Sequence, residues 1–296
     1  MNSVIQFSGG RTSGYMLRRL LDQHSGTLPV DWKICFENTG KEREETLEFV
    51  RDVEVNWGVD VTWLEFDDEF NEAEYIESDG TYRKTRRPRN TKYKIVDFHT
   101  ASRKGEPFVK ALEMLANYRR TIKNAPPVLP NVVHRLCTAN LKIKICTAFL
   151  RTCGWKEWDI YMGIRLDEAQ RRAKMMAWLP RYQELQTPLI TAKVNKESVS
   201  KFWQKSPFDL QLDAQSDEGN CDLCFLKATG KLITIIRKYP GMVNWWKDME
   251  TKTGTNFGNT KLSFHQLDQM VKENNPLLDK YIKTPIDKTL DCFCGD

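Results

Sequence analysis

The feature that most constrains this chain is how it opens. Residues 2–8 (Asn-Ser-Val-Ile-Gln-Phe-Ser) form a short apolar run that ends in Gly9-Gly10. The run passes straight into a stretch where Ser13, Met16, Leu17, Leu20, Leu21 and His24 recur at helical spacing. A strand, a glycine turn and a helix with no linker between them are the start of an α/β unit. The unit then repeats. Residues 32–36 are apolar, Glu37-Asn38-Thr39-Gly40 turns, and Leu47, Val50, Val53 and Trp57 mark a second helix. Thr39 and Glu42 supply the T-x-x-E pattern of a capping box for that helix. A third strand follows at residues 59–66. Strands and helices alternating in this way predict an α/β fold with a doubly wound, mainly parallel sheet.

Residues 67–130 lose this rhythm. An acidic stretch passes into a basic one, Arg83, Lys84, Arg86, Arg87, Arg89, Lys92 and Lys94, with Tyr82 and Tyr93 interleaved. The whole chain, with 45 Lys+Arg against 40 Asp+Glu, is too evenly balanced to imply a nucleic-acid partner by itself. The cluster at 83–94 suits a nucleic acid or a phosphorylated small-molecule acceptor, although a solvated basic loop has the same composition. We read 67–130 as an inserted lid or substrate loop with a helix near 106–119. The α/β pattern resumes with a helix at 139–150, a strand at 157–163 and a helix at 167–176. Beyond Pro188 the chain turns mostly helical, at 196–204, 226–238 and 262–273. This divides it into an α/β domain over 1–190 and a helical C-terminal region over 191–296. No apolar run approaches the roughly 20 residues of a membrane span, and residues 1–10 lack the order of a signal peptide. A soluble, cytoplasmic protein with no membrane partner is expected.

The glycine turn, Ser8-Gly9-Gly10-Arg11-Thr12-Ser13, carries the first functional signal. Glycines where a strand meets a helix let the backbone approach a ligand, and the amides at the helix start favour phosphate. The turn is neither a Walker A loop nor G-x-G-x-x-G. A tight connection with no ligand is the other reading.

The chain has eight cysteines and no export signal, which argues for metal or thiol chemistry over a disulfide framework. Cys221-x-x-Cys224 is a knuckle from which two thiolates can bind one metal or cluster. Cys292 and Cys294 form a second close pair. Cys35, Cys146 and Cys153 read as small buried apolar residues. The histidines (His24, His99, His134 and His265) are scattered, so no catalytic imidazole is indicated.

Ser-Gly-Gly-x-x-Ser after a first strand resembles the PP-loop of the adenine nucleotide alpha-hydrolase superfamily. That superfamily includes ATP pyrophosphatases, PAPS reductases and the sulfurtransferase of DNA phosphorothioation. The usual ATP-cleaving form, SGGKDS, has Lys and Asp where this chain has Arg11 and Thr12. Asn38-Thr39-Gly40-Lys41-Glu42 with Glu45-Thr46 is similar to the element after the second strand in those proteins. Residues 101–108 (Ala-Ser-Arg-Lys-Gly-Glu-Pro-Phe) resemble a loop of PAPS-reductase-like proteins, including those carried by tailed phages. Arg135-Leu136-Cys137-Thr138 with Leu141-Lys142 is similar to the cysteine-plus-basic element. Gly163-Ile164-Arg165 with Asp167-Glu168 and Arg171-Arg172 resembles G-x-R-x-x-E-x-x-R.

The resemblance implies a Rossmann-like fold of the PP-loop type that binds ATP or a related adenine nucleotide. Ser8, Gly9, Gly10, Arg11, Thr12 and Ser13 would cradle its phosphates, with Asn38, Thr39 and Gly40 beside it. Gly163, Arg165 and one of the Arg171–Arg172 pair, taken as Arg172, would approach phosphate or sulfate oxygens. Asp167 and Glu168 would hold Mg²⁺ or start a helix, the second being favoured. Cys137 and Cys292 would join Cys221 and Cys224 around a 4Fe–4S cluster, with zinc as the alternative. The implied reaction is cleavage of ATP between the α and β phosphates, with Arg11 and Arg165 as catalytic cations. It would activate an acceptor for sulfur transfer or nucleic-acid modification. A sulfonucleotide reductase with Cys294 as nucleophile is the alternative, and a non-catalytic nucleotide- or nucleic-acid-binding module is the third. Carriage by a phage would place the protein in the host cytoplasm.

Overall fold

Alternation along the strands decides which core each side chain enters. The computed structural model describes residues 1–82, 91–131, 134–212, 218–258 and 262–283. In chain order run β1 (Ser3–Gln6), α1 (Arg11–Gln23), β2 (Trp32–Asn38), α2 (Glu44–Trp57), β3 (Val61–Phe66), β4 (Tyr93–Val96) and α3 (Glu106–Lys123). Then come α4 (Leu136–Thr138), α5 (Ile145–Thr152), β5 (Trp158–Met162), α6 (Ala169–Met176), β6 (Gln183–Gln186), α7 (Pro188–Thr191) and α8 (Lys196–Trp203). The chain continues with α9 (Thr229–Lys238), α10 (Val243–Thr253), α11 (Phe264–Lys272) and α12 (Leu278–Lys283). A π-helical segment, Ala139–Lys144, joins α4 to α5.

Val4, Cys35, Leu64 and Phe66 enter one buried cluster, while Ile5, Ile34, Phe36, Val61 and Trp63 enter the other. Period-two alternation with both faces buried is what a sheet covered on each side requires. Met16, Leu17, Leu20 and Leu21 of α1, Leu47, Val50 and Val53 of α2, and Trp203 of α8 cover the second face. Phe108 and Leu112 of α3 and Ile145 and Leu150 of α5 cover the first.

The sheet has six strands in the order β4-β3-β2-β1-β5-β6, parallel except where β4 runs antiparallel to β3. The chain steps outward from β1 through β2 to β3, then returns to place β5 on the other side of β1. The order therefore reverses between β1 and β5, and doubly wound sheets take ligands at the carboxyl edge of such a reversal. Gln6 pairs in register with Cys35 on one side and Met162 on the other, so the loops after β1, β2 and β5 leave from one edge.

Several expectations change. The helix expected near 106–119 is α3, but the described part of 67–130 is not a lid: it also supplies the edge strand β4, and α3 packs into the core. The T-x-x-E pattern does not cap α2, which starts four residues later than Thr39 would place it, with Arg43 at its N-cap position and no side-chain cap. The C-terminal helices share a core with the sheet, since Ile233, Ile236, Trp246, Phe264 and Leu267 belong to the cluster that contains Val4 and Ile160. Among the described residues, no helix is long and apolar enough to cross a membrane.

Trp203 joins the helical region to the first unit. Its ring is 2% exposed and lies edge-on to Phe49 at 4.9 Å, and its Nε1 donates to the Arg11 carbonyl at 2.8 Å. Gly14 makes room for it, because a Cβ there would come within 2.9 Å of the indole. Trp203→Ala should cost about 3–5 kcal/mol through the cavity it leaves. Thermal unfolding should show a matching fall in Tm, and an unchanged Tm would contradict this packing.

Candidate functional site

Past β1, Phe7 N still donates to the Cys35 carbonyl at 2.9 Å, and then the backbone turns. Gly9 has φ of +75°, and a Cβ there would sit 2.6 Å from Thr46 Cγ2, so both its backbone conformation and its surroundings demand glycine. Gly10 occupies the N-cap of α1 and supplies no side-chain cap. The first turn of α1 places the positive end of the helix dipole at the sheet edge. Ser13 Oγ donates to the Gly10 carbonyl at 2.9 Å and lies 3.0 Å from Ser8 Oγ, bracing the turn.

The exit of β5 lies against this turn. A Cβ on Gly163 would meet Ser13 Cα at 3.0 Å and Ser13 N at 3.1 Å. Arg165 NH1 donates to Thr12 Oγ1 at 2.9 Å, while its Nε lies 3.2 Å from Asp167 Oδ1 and its NH2 3.5 Å from Glu168 Oε2. Glu168 also accepts from Arg165 N at 3.2 Å and from Arg171 NH1 at 3.3 Å. Asp167 and Glu168 therefore hold arginines and begin a helix. Arg171, three residues after Glu168 on one helix face, joins this network. The Nε of Arg172 is buried and has no hydrogen-bond partner among the described residues.

Arg11 does something different from what its place in the motif suggests. Its Nε and NH2 fork onto Asp209 at 2.8 and 2.9 Å, and NH2 also donates to the carbonyls of Leu210 and of Leu212, the latter at 2.8 Å. Most of its donors are taken up by this latch, which fastens residues 209–212 to the start of α1.

Asn38, Thr39 and Gly40 follow β2 in a loop that satisfies itself. Asn38 Oδ1 accepts from Gly40 N at 3.0 Å, and Glu42 Oε2 accepts from Thr39 N and Oγ1, both at 2.8 Å. Asn38 Nδ2 donates to Glu65 at 2.6 Å and to the Ser102 carbonyl at 2.8 Å. Glu65, wholly buried, also accepts from Ser102 N and Oγ and pairs with Lys94 at 3.0 Å. Lys94 of the basic cluster is thereby accounted for; Arg83, Lys84, Arg86, Arg87 and Arg89 lie outside the described residues.

The Cys221–Cys224 segment is laid along this loop. Arg43 N donates to the Asn220 carbonyl at 2.8 Å and Asp222 N to the Lys41 carbonyl at 3.0 Å, so Cys221 faces Glu42. Asn220 Nδ2 donates to the Ser8 carbonyl at 2.9 Å, which ties the cysteine loop to the glycine turn. Lys41 and Asp222 form a buried pair at 2.7 Å, and Trp246 Nε1 donates to the same carboxylate at 3.0 Å. Lys142, on the π-helical segment, reaches Glu42 Oε1 at 3.6 Å, and Cys221 Sγ lies 3.9 Å from that oxygen. Burial would raise the Glu45 carboxyl, but Arg43 at 2.9 Å outweighs it and holds the group below its ordinary value.

Cys137 lies in α4. Among the described residues, no group of three or more His, Cys, Asp or Glu side chains is placed to hold a metal ion. Cys292 and Cys294 lie outside the described residues. Cys35 and Cys146 are buried as expected, and the hydrogen bond between them, with burial, pushes the Cys146 thiol well up. Cys153 is exposed, in the turn that ends α5. Little in the sequence points to Asn220, Asp222 or the Glu42–Lys142 pair. Polar residues bracketing Cys221 were the one available signal; the partners are distant in sequence.

Asp222→Ala would leave the Lys41 ammonium buried beside Trp245 without its carboxylate. It should destabilise the chain by about 3–5 kcal/mol, read as a fall in the denaturant midpoint. A midpoint within error of the wild type would rule out the pair as the latch between the cysteine loop and the sheet edge.

No protein-family model matches the chain. It is 28% identical over 236 residues to the uncharacterized nin region protein ORF290 of Escherichia phage lambda, an alignment that covers 78% of this chain and 68% of that protein. The likeness is to a phage protein and brings no activity with it.

Proposed function

We propose that this chain is a PAPS-reductase-like PP-loop protein that binds an adenine nucleotide across the carboxyl ends of β1 and β5. Cleavage of ATP between its α and β phosphates would activate an acceptor for sulfur transfer or nucleic-acid modification. One observation carries the reading. The two loops that flank the reversal of strand order touch each other, through Gly163 on Ser13 and through Arg165 NH1 on Thr12 Oγ1. The start of α1 and a fixed cation thus meet where such sheets take ligands.

In this account the amides at Gly10, Arg11, Thr12 and Ser13 receive the oxygens of the departing pyrophosphate. Arg165 offers a cation fixed by Asp167 and Glu168, so its position costs little reorganisation as negative charge builds on the leaving group. Arg171 holds Glu168 in place and acts through it. Thr39 and Gly40 form a rigid wall after β2. Asp167 and Glu168 are engaged with Arg165 and Arg171. Cys221 and Cys224 would supply two thiolates from one turn, half of what a 4Fe–4S or zinc site needs. Iron and zinc analysis of anaerobically purified protein decides that part of the proposal.

The Arg11 latch favours a second reading, in which the loop binds nucleotide without turnover. The cation that would stand for the usual lysine is engaged with Asp209. Calorimetric titration with ATP and an assay of pyrophosphate release separate the two. The enzyme reading expects saturable ATP binding and release that falls about 100-fold in Arg165→Ala, with binding weakened far less. Binding without release supports the second reading. Absence of binding to ATP and to sulfonucleotides would overturn both.

A further inference from the structure

We propose that α6 and the turn after it form a docking surface for single-stranded nucleic acid, with a base stacked on Trp178. The inference names the acceptor class of the site described above, and so rests on the reading of the chain as acting on an acceptor.

Residues 169–182 (Ala-Gln-Arg-Arg-Ala-Lys-Met-Met-Ala-Trp-Leu-Pro-Arg-Tyr) contain Arg171, Arg172, Lys174 and Arg181 and no acidic residue. Trp178 is 87% exposed and Met176 is 51% exposed, with Lys174 and Arg181 also on the outside. This is not a frayed end. Met175, Leu179 and Tyr182 pack inward against the core. Trp178 N donates to the Met175 carbonyl at 3.0 Å and Gln183 N to the Pro180 carbonyl at 3.0 Å. Arg151 lies over the Tyr182 ring at 4.6 Å, and Trp158 sits against that ring at 5.2 Å. An indole thus faces water from a backbone held on both sides, a placement that sacrifices the burial its large apolar surface would otherwise gain.

The chemistry of the surface selects its partner. One tryptophan and one methionine are too little for a protein interface, which buries roughly 800 Å² per partner around an apolar centre. Stacking of a base needs one ring, with cations beside it for the backbone phosphates. A membrane-lying helix would need a longer apolar stripe than the eight residues of α6, which turn Arg171 into the protein. Location agrees with this choice. Helix α6 begins directly after Glu168, which holds Arg165 against the glycine turn. Its length of about 12 Å equals three to four stacked nucleotides at about 3.4 Å each, so a strand resting on Trp178 can run along α6 and bring a nucleotide about three to four positions away toward the candidate site.

The test is fluorescence anisotropy on the full chain, with a labelled mixed-sequence single-stranded RNA and its DNA counterpart, at low and physiological salt. Saturable binding of one or both is expected, and the two arms tell RNA from DNA. Trp178→Ala should weaken binding roughly 5- to 150-fold, the loss of one stacked base, while Trp178→Phe restores most of it. Arg181→Ala should lower the salt slope by about 0.7, one phosphate contact on a single strand. ATP affinity should be unchanged in all three, and the exposure of Trp178 makes unfolding an unlooked-for cause of any loss. The proposal is overturned if neither strand binds, or if Trp178→Ala binds as the wild type does. It is equally overturned if Trp178→Ala loses binding only to phosphatidylserine vesicles, which would make the surface a membrane contact. Trp178-dependent strand binding by a protein that binds neither ATP nor sulfonucleotides would sustain this surface and overturn the nucleotide site. ATP binding without strand binding would do the reverse.

Discussion

Two stretches of backbone in contact, Gly163 against Ser13, set the carboxyl edge of this sheet. With no side chain on Gly163, the exit of β5 can lie against the start of α1. That approach brings Arg165 to Thr12 at the start of α1, where Gly10 at the N-cap offers no side chain. Gly9 contributes in the same way, turning with φ of +75° against Thr46 where any side chain would collide. The absence of a side chain at these two positions permits the approach, and the polar contacts around it hold the loops in place.

Around that contact the chain builds a shell of buried polar pairs. Glu65 organises Asn38, Ser102 and Lys94, and Glu42 organises Thr39, Lys142 and Cys221. Asp222 takes Lys41 and Trp246, and Asn220 reaches the Ser8 carbonyl. Buried charges of this kind add little net stability over apolar packing, but each is costly to break, so they hold one arrangement of loops against its neighbours. The cysteine segment and the C-terminal helices belong to that arrangement, and they share its core. The π-helical turn that carries Lys142 fits the same pattern, since such turns recur where a side chain must be aimed at a site.

What the sequence revealed is what local physics determines. β1, β2 and β3 are legible because apolar residues fall on both faces, and the glycine turn because Gly-Gly between strand and helix has few uses. β4 and β6 are not legible: Tyr-Lys-Ile-Val and Gln-Glu-Leu-Gln are too short and too polar, as edge strands are, and pairing with β3 and β5 makes them strands. Thr39 and Glu42 carry a capping signature, yet their hydrogen bonds close a loop before α2 begins. Arg11 stands where a phosphate-binding cation is expected, and nothing nearby in the chain betrays that Asp209 takes its fork. Arg171 and Arg172 cannot be told apart until the start of α6 is known, because only then does Glu168 share a helix face with Arg171.

The proposed nucleotide site stands or falls on the place where a polyphosphate binds. A crystal structure of the chain with a non-hydrolysable ATP analogue, cut off from turnover at the α–β bridge, tests this most directly. The analogue's β-phosphate should accept hydrogen bonds from the amides that begin α1, with Arg165 on its oxygens and Gly163 still against Ser13. An analogue bound elsewhere, with those amides closed off by protein side chains, would contradict it.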